Sequence, residues 1–197
     1  LLETYEKHLD ATDDEDFETR TSLLMALAQV HRERMEDVVQ ATRCVERVLE
    51  LSPGNLEALD MLTALHESQE DWGEVMGALQ RRAGLVVDAD ERARVLARIG
   101  RVALERLEDE DRATEQFYAA LEQDPRCADA MDALAGIYAK NEDWPNVVRM
   151  LKLKEEVTLD VLEKAAALHR IGLIYHERLE DPVAATDYFE RSVALDS

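Results

Sequence analysis

Glu33-Arg34-Met35-Glu36-Asp37 returns as Glu105-Arg106-Leu107-Glu108-Asp109, and again as Glu177-Arg178-Leu179-Glu180-Asp181. The spacing is 72 residues each time (105 − 33 and 177 − 105). Other residues keep the same register. Pro125 follows Pro53 by 72 (125 − 53), and Trp144 follows Trp72 by 72 (144 − 72). A fixed long period is the signature of stacked supersecondary units, each burying its apolar face on its neighbours.

The residues between these markers have helical spacing. Leu24, Leu27, Ala28 and His31 form one stripe over about 17–34, and Ala41, Val45, Val48 and Leu49 another over about 38–51. Ser52-Pro53-Gly54-Asn55 ends the second helix, because proline removes a donor and glycine permits the left-handed turn. A third helix takes 56–68, and a fourth starts at Trp72. The pattern then restarts, with Leu96, Ile99 and Gly100 standing where Leu24, Leu27 and Ala28 stood. Leu27, Leu62, Ile99, Leu134 and Ile171 are equivalent, with gaps of 35, 37, 35 and 37 (62 − 27, 99 − 62, 134 − 99, 171 − 134). The unit is a helical hairpin of about 36 residues in two alternating forms. The reading is all-α, an α-solenoid of stacked antiparallel helix pairs. Its expected units are a partial 1–16, then 17–52, 53–90, 91–124, 125–160 and 161–197. The chain opens inside an amphipathic helix and stops where the next proline is due, so it reads as an excerpt of a longer protein.

These residues resemble the tetratricopeptide repeat family. Leu96-x2-Ile99-Gly100 with Ala113-x3-Phe117 and Pro125 follows that family's pattern, as does Leu168-x2-Ile171-Gly172-x2-Tyr175 with Ala185-x3-Phe189. The resemblance covers nearly the whole chain. It implies a right-handed superhelix, a protein-binding scaffold, and a concave groove lined by the first helices of the pairs. Small residues (Ala28, Gly100, Gly172) let helices approach, and Phe117 and Phe189 are expected to fill the gap between successive pairs. Three features depart from the family. The even units lack a terminal proline, Val75 and Val147 replace a small alanine, and tryptophan opens the second helix. Trp72 and Trp144 read as anchors of that helix rather than as ligand-stacking residues.

Composition narrows the function. The net charge is −21, from 23 basic and 44 acidic residues. That disfavours nucleic acid or an anionic membrane as the main partner, because both need a basic footprint. No apolar run approaches a membrane span. Cys44 and Cys127 do not recur in register and read as free thiols, which fits a reducing, cytoplasmic setting. No nucleophile constellation, phosphate loop or metal spacing stands out. His169 and His176, seven residues apart on one helix, are about 10 Å apart along its axis, too far to share one metal. The expectation is a non-enzyme with no cofactor and no metal.

Outward positions on the first helices carry uneven charge. The odd units offer Arg94, Arg98 and Arg101, then His169, Arg170 and His176; the even units offer Glu57 and Asp60, then Asp129 and Asp132. One reading is a groove with a basic centre banked by acidic rows, holding a mixed-charge peptide or protein segment. The plainer reading is solvated helix charge, each ion pair contributing about 0–1 kcal/mol. Two further roles stay open. The chain could be a regulatory or structural arm of a larger enzyme or apparatus, or a module that self-associates through its truncated ends.

Overall fold

The computed structural model describes residues 2–13 and 15–195. Among them are eleven helices: α1 (Leu2–Ala11), α2 (Phe17–Arg34), α3 (Val38–Leu51), α4 (Leu56–Ser68), α5 (Trp72–Leu85), α6 (Ala89–Arg106), α7 (Glu110–Gln123), α8 (Ala128–Lys140), α9 (Trp144–Val157), α10 (Val161–Glu177) and α11 (Pro182–Leu195). Each pentapeptide ends one helix and starts its antiparallel partner. The pairs so joined are α2–α3, α6–α7 and α10–α11.

The chemistry of those turns is specific. Asp37, Asp109 and Asp181 each accept a backbone N–H from three residues on, at 3.0 Å in each case. That satisfies a donor which the helix start would otherwise leave open. The glutamate just before each of these aspartates is left-handed: Glu36, Glu108 and Glu180 have φ of 52, 54 and 53°. The even turns repeat the device with Glu70 and Glu142, both at φ 57°. Helices commonly end on one left-handed residue, usually glycine because a Cβ is penalised there. The amides of Asp71 and Asp143 return to the carbonyls of His66 and Tyr138, five residues back, at 3.0 and 2.8 Å. In the odd turns the returns run six residues back, from Asp37 to His31 and from Asp109 to Ala103. Pro53 and Pro125 each directly follow a C-cap residue, Ser52 and Asp124, while Pro145 and Pro182 sit in the first turn of α9 and α11, where a missing N–H costs nothing.

The chain divides into two compact units after Val86. In the first, α1–α5 bury Leu24, Leu59, Leu65 and Val45 in one apolar cluster. In the second, α6–α11 bury Ile99, Phe117, Met131, Leu134, Leu168 and Ile171. All five positions that define the hairpin period, from Leu27 to Ile171, are buried.

Glycine and phenylalanine are matched inside single hairpins. A Cβ added to Gly100 would lie 2.8 Å from Cε1 of Phe117, and one at Gly172 would lie 2.7 Å from Cε1 of Phe189. Phe117 also faces the next pair, lining a hollow with Ala133, Gly136 and Ile137 of α8. Each ring first closes on the first helix of its own pair, at a distance that only a missing Cβ permits. Trp72 and Trp144 are the first residues of α5 and α9, and both are half-buried. The Arg178 guanidinium, from the third pentapeptide, sits 4.8 Å from the Trp144 ring centroid, a cation–π contact.

Candidate peptide-binding surface

The helical pitch puts Arg94, Arg98 and Arg101 on one side of α6, and all three are exposed. Asp129 and Asp132 are exposed on α8, the first helix of the next pair. Arg101 Nη2 reaches Asp129 Oδ2 at 3.4 Å. Beside this pair is a hollow of about 370 Å³, with Leu104, Phe117, Ala133 and Ile137 in its wall and Asp132 at its side. Gly136 also lines it, with no atom near the place a Cβ would occupy. A smaller hollow of about 300 Å³ contains Arg94, Asp90 and Arg126 and shares Asp129 with the first. Cys127 is in its wall; burial raises that thiol's pKa, so it stays protonated and unreactive.

The remaining sequence-derived residues have other surroundings. Asp132 is held by Lys154 of α9, with Nζ at 2.7 Å. Asp60 is held in the same way by Arg82 of α5, at 2.6 Å. Both are ion pairs within one hairpin, and they share the register (132 − 60 = 72, 154 − 82 = 72). The acidic rows expected to bank a groove are thus half engaged in joining the two helices of their own pair. Glu57 is exposed on α4 in the first unit. His169, Arg170 and His176 are exposed on α10, but none lines the hollow beside Arg101. His169 packs its ring at 5.3 Å and a 50° tilt against Phe189, which gives it a packing role.

A second polar cluster, absent from the sequence reading, lies in the second unit. The Tyr118 and Tyr138 hydroxyls are 2.6 Å apart, and Arg149 donates Nη2–H to Tyr118 at 2.7 Å. Burial, and then the bond to Tyr118, pushes the Tyr138 phenol up to about 12. Tyr175 and Tyr188 stack with centroids 5.5 Å apart and planes 8° from parallel. Lys152 Nζ sits 5.6 and 5.3 Å from these two ring centroids. Its hydrogen bond with Tyr188 raises its pKa against the opposing effect of burial, so it stays cationic. The available signal was departure from the repeat: one period back, Tyr118, Arg149 and Lys152 correspond to Glu46, Gly77 and Gln80.

Among the described residues no group of three His, Cys, Asp or Glu is placed to hold a metal ion. No helix of the described residues is long and apolar enough to cross a membrane.

No protein-family model matches the chain, and no curated protein does. Its fold is shared with solved structures. The MamA crystal structure superposes with a TM-score of 0.60 at 19% identity, covering 90% of this chain and 92% of that one. YrrB, described as a TPR protein with an unusual peptide-binding site, gives 0.58 at 16% identity over 99% and 93%. PilF of Pseudomonas aeruginosa gives 0.56 at 19% identity over 89% and 76%. Identities this low carry the architecture and nothing finer. The fold of this chain is the tetratricopeptide-repeat fold, built on a double-hairpin period of 72 residues.

Proposed function

We propose that the chain is a non-catalytic scaffold which binds a peptide or protein segment between α6 and α8. The observation that carries this reading is the hollow beside Arg101 and Asp129. It combines apolar wall residues with opposite charges on two first helices of successive pairs. Such a site offers burial for one side chain and a charge pair that a mixed-charge ligand can exchange with. Arg94 and Arg98 extend the cationic side along α6. No chemistry is assigned to the site, since its carboxylates are exposed.

Peptides displayed on phage and selected against the chain test this. Selected sequences should carry both charges and an apolar anchor. The charge-reversed variant Arg98→Glu/Arg101→Glu should lose them while keeping its far-UV circular dichroism. Selected peptides that bind this variant with unchanged affinity would remove the site.

A second reading is self-association. Val183 and Val193 on α11 are 81% and 69% exposed. One period earlier Leu121, the equivalent of Val193, is half-buried in the second unit, where α8 packs on α7. Light scattering that shows monomers at all concentrations would dispose of it.

A further inference from the structure

We propose that the hollow between α9 and α10, lined by Arg149, Lys152, Pro145, Leu153, Tyr175 and Leu179, docks an acidic peptide segment that sets a carboxylate beside an aliphatic side chain. The site is separate from the one between α6 and α8 and does not depend on it.

Three observations converge on this partner. The first is charge. In a chain of net charge −21, five cations of the second unit are matched by carboxylates. Arg101 has Asp129, Lys154 has Asp132, Lys140 has Glu110, and Lys164 and Arg191 share Glu155. Arg149 and Lys152 differ: among the described residues neither has a carboxylate within bridging distance. Their partners are tyrosine hydroxyls and rings. Three residues apart on α9, they face the same way and can both reach one acidic group. Arg149 gives one of its five donors to Tyr118, so a bidentate pair with a carboxylate remains open to it.

The second observation is preorganisation. Arg149 is held by the Tyr118–Tyr138 pair at 2.7 Å, and Lys152 is held over two stacked rings. Two long side chains therefore have less rotamer freedom left to lose on binding. Tyrosine and arginine around a small apolar recess are also the residue types that dominate binding energy at interfaces.

The third is that the cluster breaks the repeat. Glu46, Gly77 and Gln80 fill its register positions in the first unit, where the hairpins still pack. The fold does not require it.

The recess selects the rest of the ligand. It measures about 420 Å³, with Pro145, Val148, Leu153 and Leu179 supplying apolar wall. That accommodates one aliphatic side chain of an extended segment. Glu156, one turn beyond Lys152, also lines it and repels an unbroken acidic run. The segment is thus acidic–aliphatic rather than polyacidic.

Fluorescence anisotropy of a fluorescein-labelled peptide alternating Asp and Leu, titrated with the full chain, tests the proposal. Saturable binding is expected, weakened by added salt because exposed charges are screened. The double variant Arg149→Ala/Lys152→Ala should lose affinity by about tenfold or more. Arg43→Ala, at an exposed position of α3 that lines neither hollow, should bind this peptide as the parent does, with far-UV circular dichroism confirming that both variants are folded. A peptide alternating Ser and Leu should not bind. Absence of saturable binding, unchanged affinity in the Arg149/Lys152 variant, or an equal loss in Arg43→Ala would each overturn the site. Binding confined to a phosphoserine–leucine peptide would also overturn it, in favour of a phosphate ligand.

Discussion

The α2–α3 and α6–α7 hairpins occupy the same register yet fill their interiors in opposite ways. The first pairs Ala28 with Val45; the second pairs Gly100 with Phe117. All four residues are buried. In the first hairpin the methyl is on the leading helix and the modest side chain on the trailing one. In the second the leading helix gives up its Cβ and the trailing helix supplies a full ring. The hairpin specifies a joint volume at this contact, and the two helices can divide it differently.

The largest effect comes from emptying the position. Phe117→Ala should cost about 3–5 kcal/mol in denaturant unfolding, and Val45→Ala distinctly less because fewer buried atoms are removed. Gly100→Ala should cost about 1–3 kcal/mol, because its Cβ would meet the ring at 2.8 Å. Adding Phe117→Val to Gly100→Ala rebuilds the first hairpin's solution. The double variant should be more stable than the sum of its single effects, which a double-mutant cycle reads directly. Additive costs would mean that the hairpins are not exchanging volume at all.

A smaller effect separates the two even hairpins. Asn55 caps α4 by accepting the Ala58 amide at 2.9 Å, whereas Cys127, its equivalent one period on, makes no side-chain cap for α8. Asn55→Ala should cost about 1 kcal/mol, and Cys127→Asn should recover part of that amount for the second unit. Equal stability in all three proteins would show that capping does not limit either helix.

Alkaline titration sharpens the contrast further. Tyr138 holds its proton up to about 12, above the ordinary tyrosine value near 10 in an unfolded chain. The raised value means that the folded form favours the neutral phenol. This contribution is therefore intact below about pH 10 and is lost as the pH rises through about 12. Tyr138→Phe should flatten that loss in an unfolding series from pH 9 to pH 12. In the first unit His66 stands in that register, so the phenol itself has no copy there.

The fold was legible because the determinants of packing recur. Leu27 through Ile171 announce the unit, and the pentapeptides mark the turns within a residue of where the helices end. The ion pairs Asp60–Arg82 and Asp132–Lys154 were legible in principle, since all four residues keep the 72-residue register, but the charges on one helix do not by themselves reveal a partner on the next. The left-handed glutamates were hidden for another reason. Glycine or asparagine is the usual sign of positive φ, and Glu36 and Glu108 give none. The Tyr118–Tyr138–Arg149 cluster joins three helices through side chains with no periodic counterpart. A period-based reading passes over such residues, although departure from the period is what singles them out.

The hairpin ion pair has a consequence for how such a chain can grow or shrink. Asp132 and Lys154 belong to the same pair of helices, as do Asp60 and Arg82, and each turn brings its own capping aspartate. A block of 72 residues therefore carries its fasteners with it. These two pairs are gained or lost with their block, whereas Glu155, which meets Lys164 and Arg191, is the carboxylate that ties one block to the next. The Tyr118–Tyr138–Arg149 cluster, whose positions hold Glu46, His66 and Gly77 one period back, belongs to a single block.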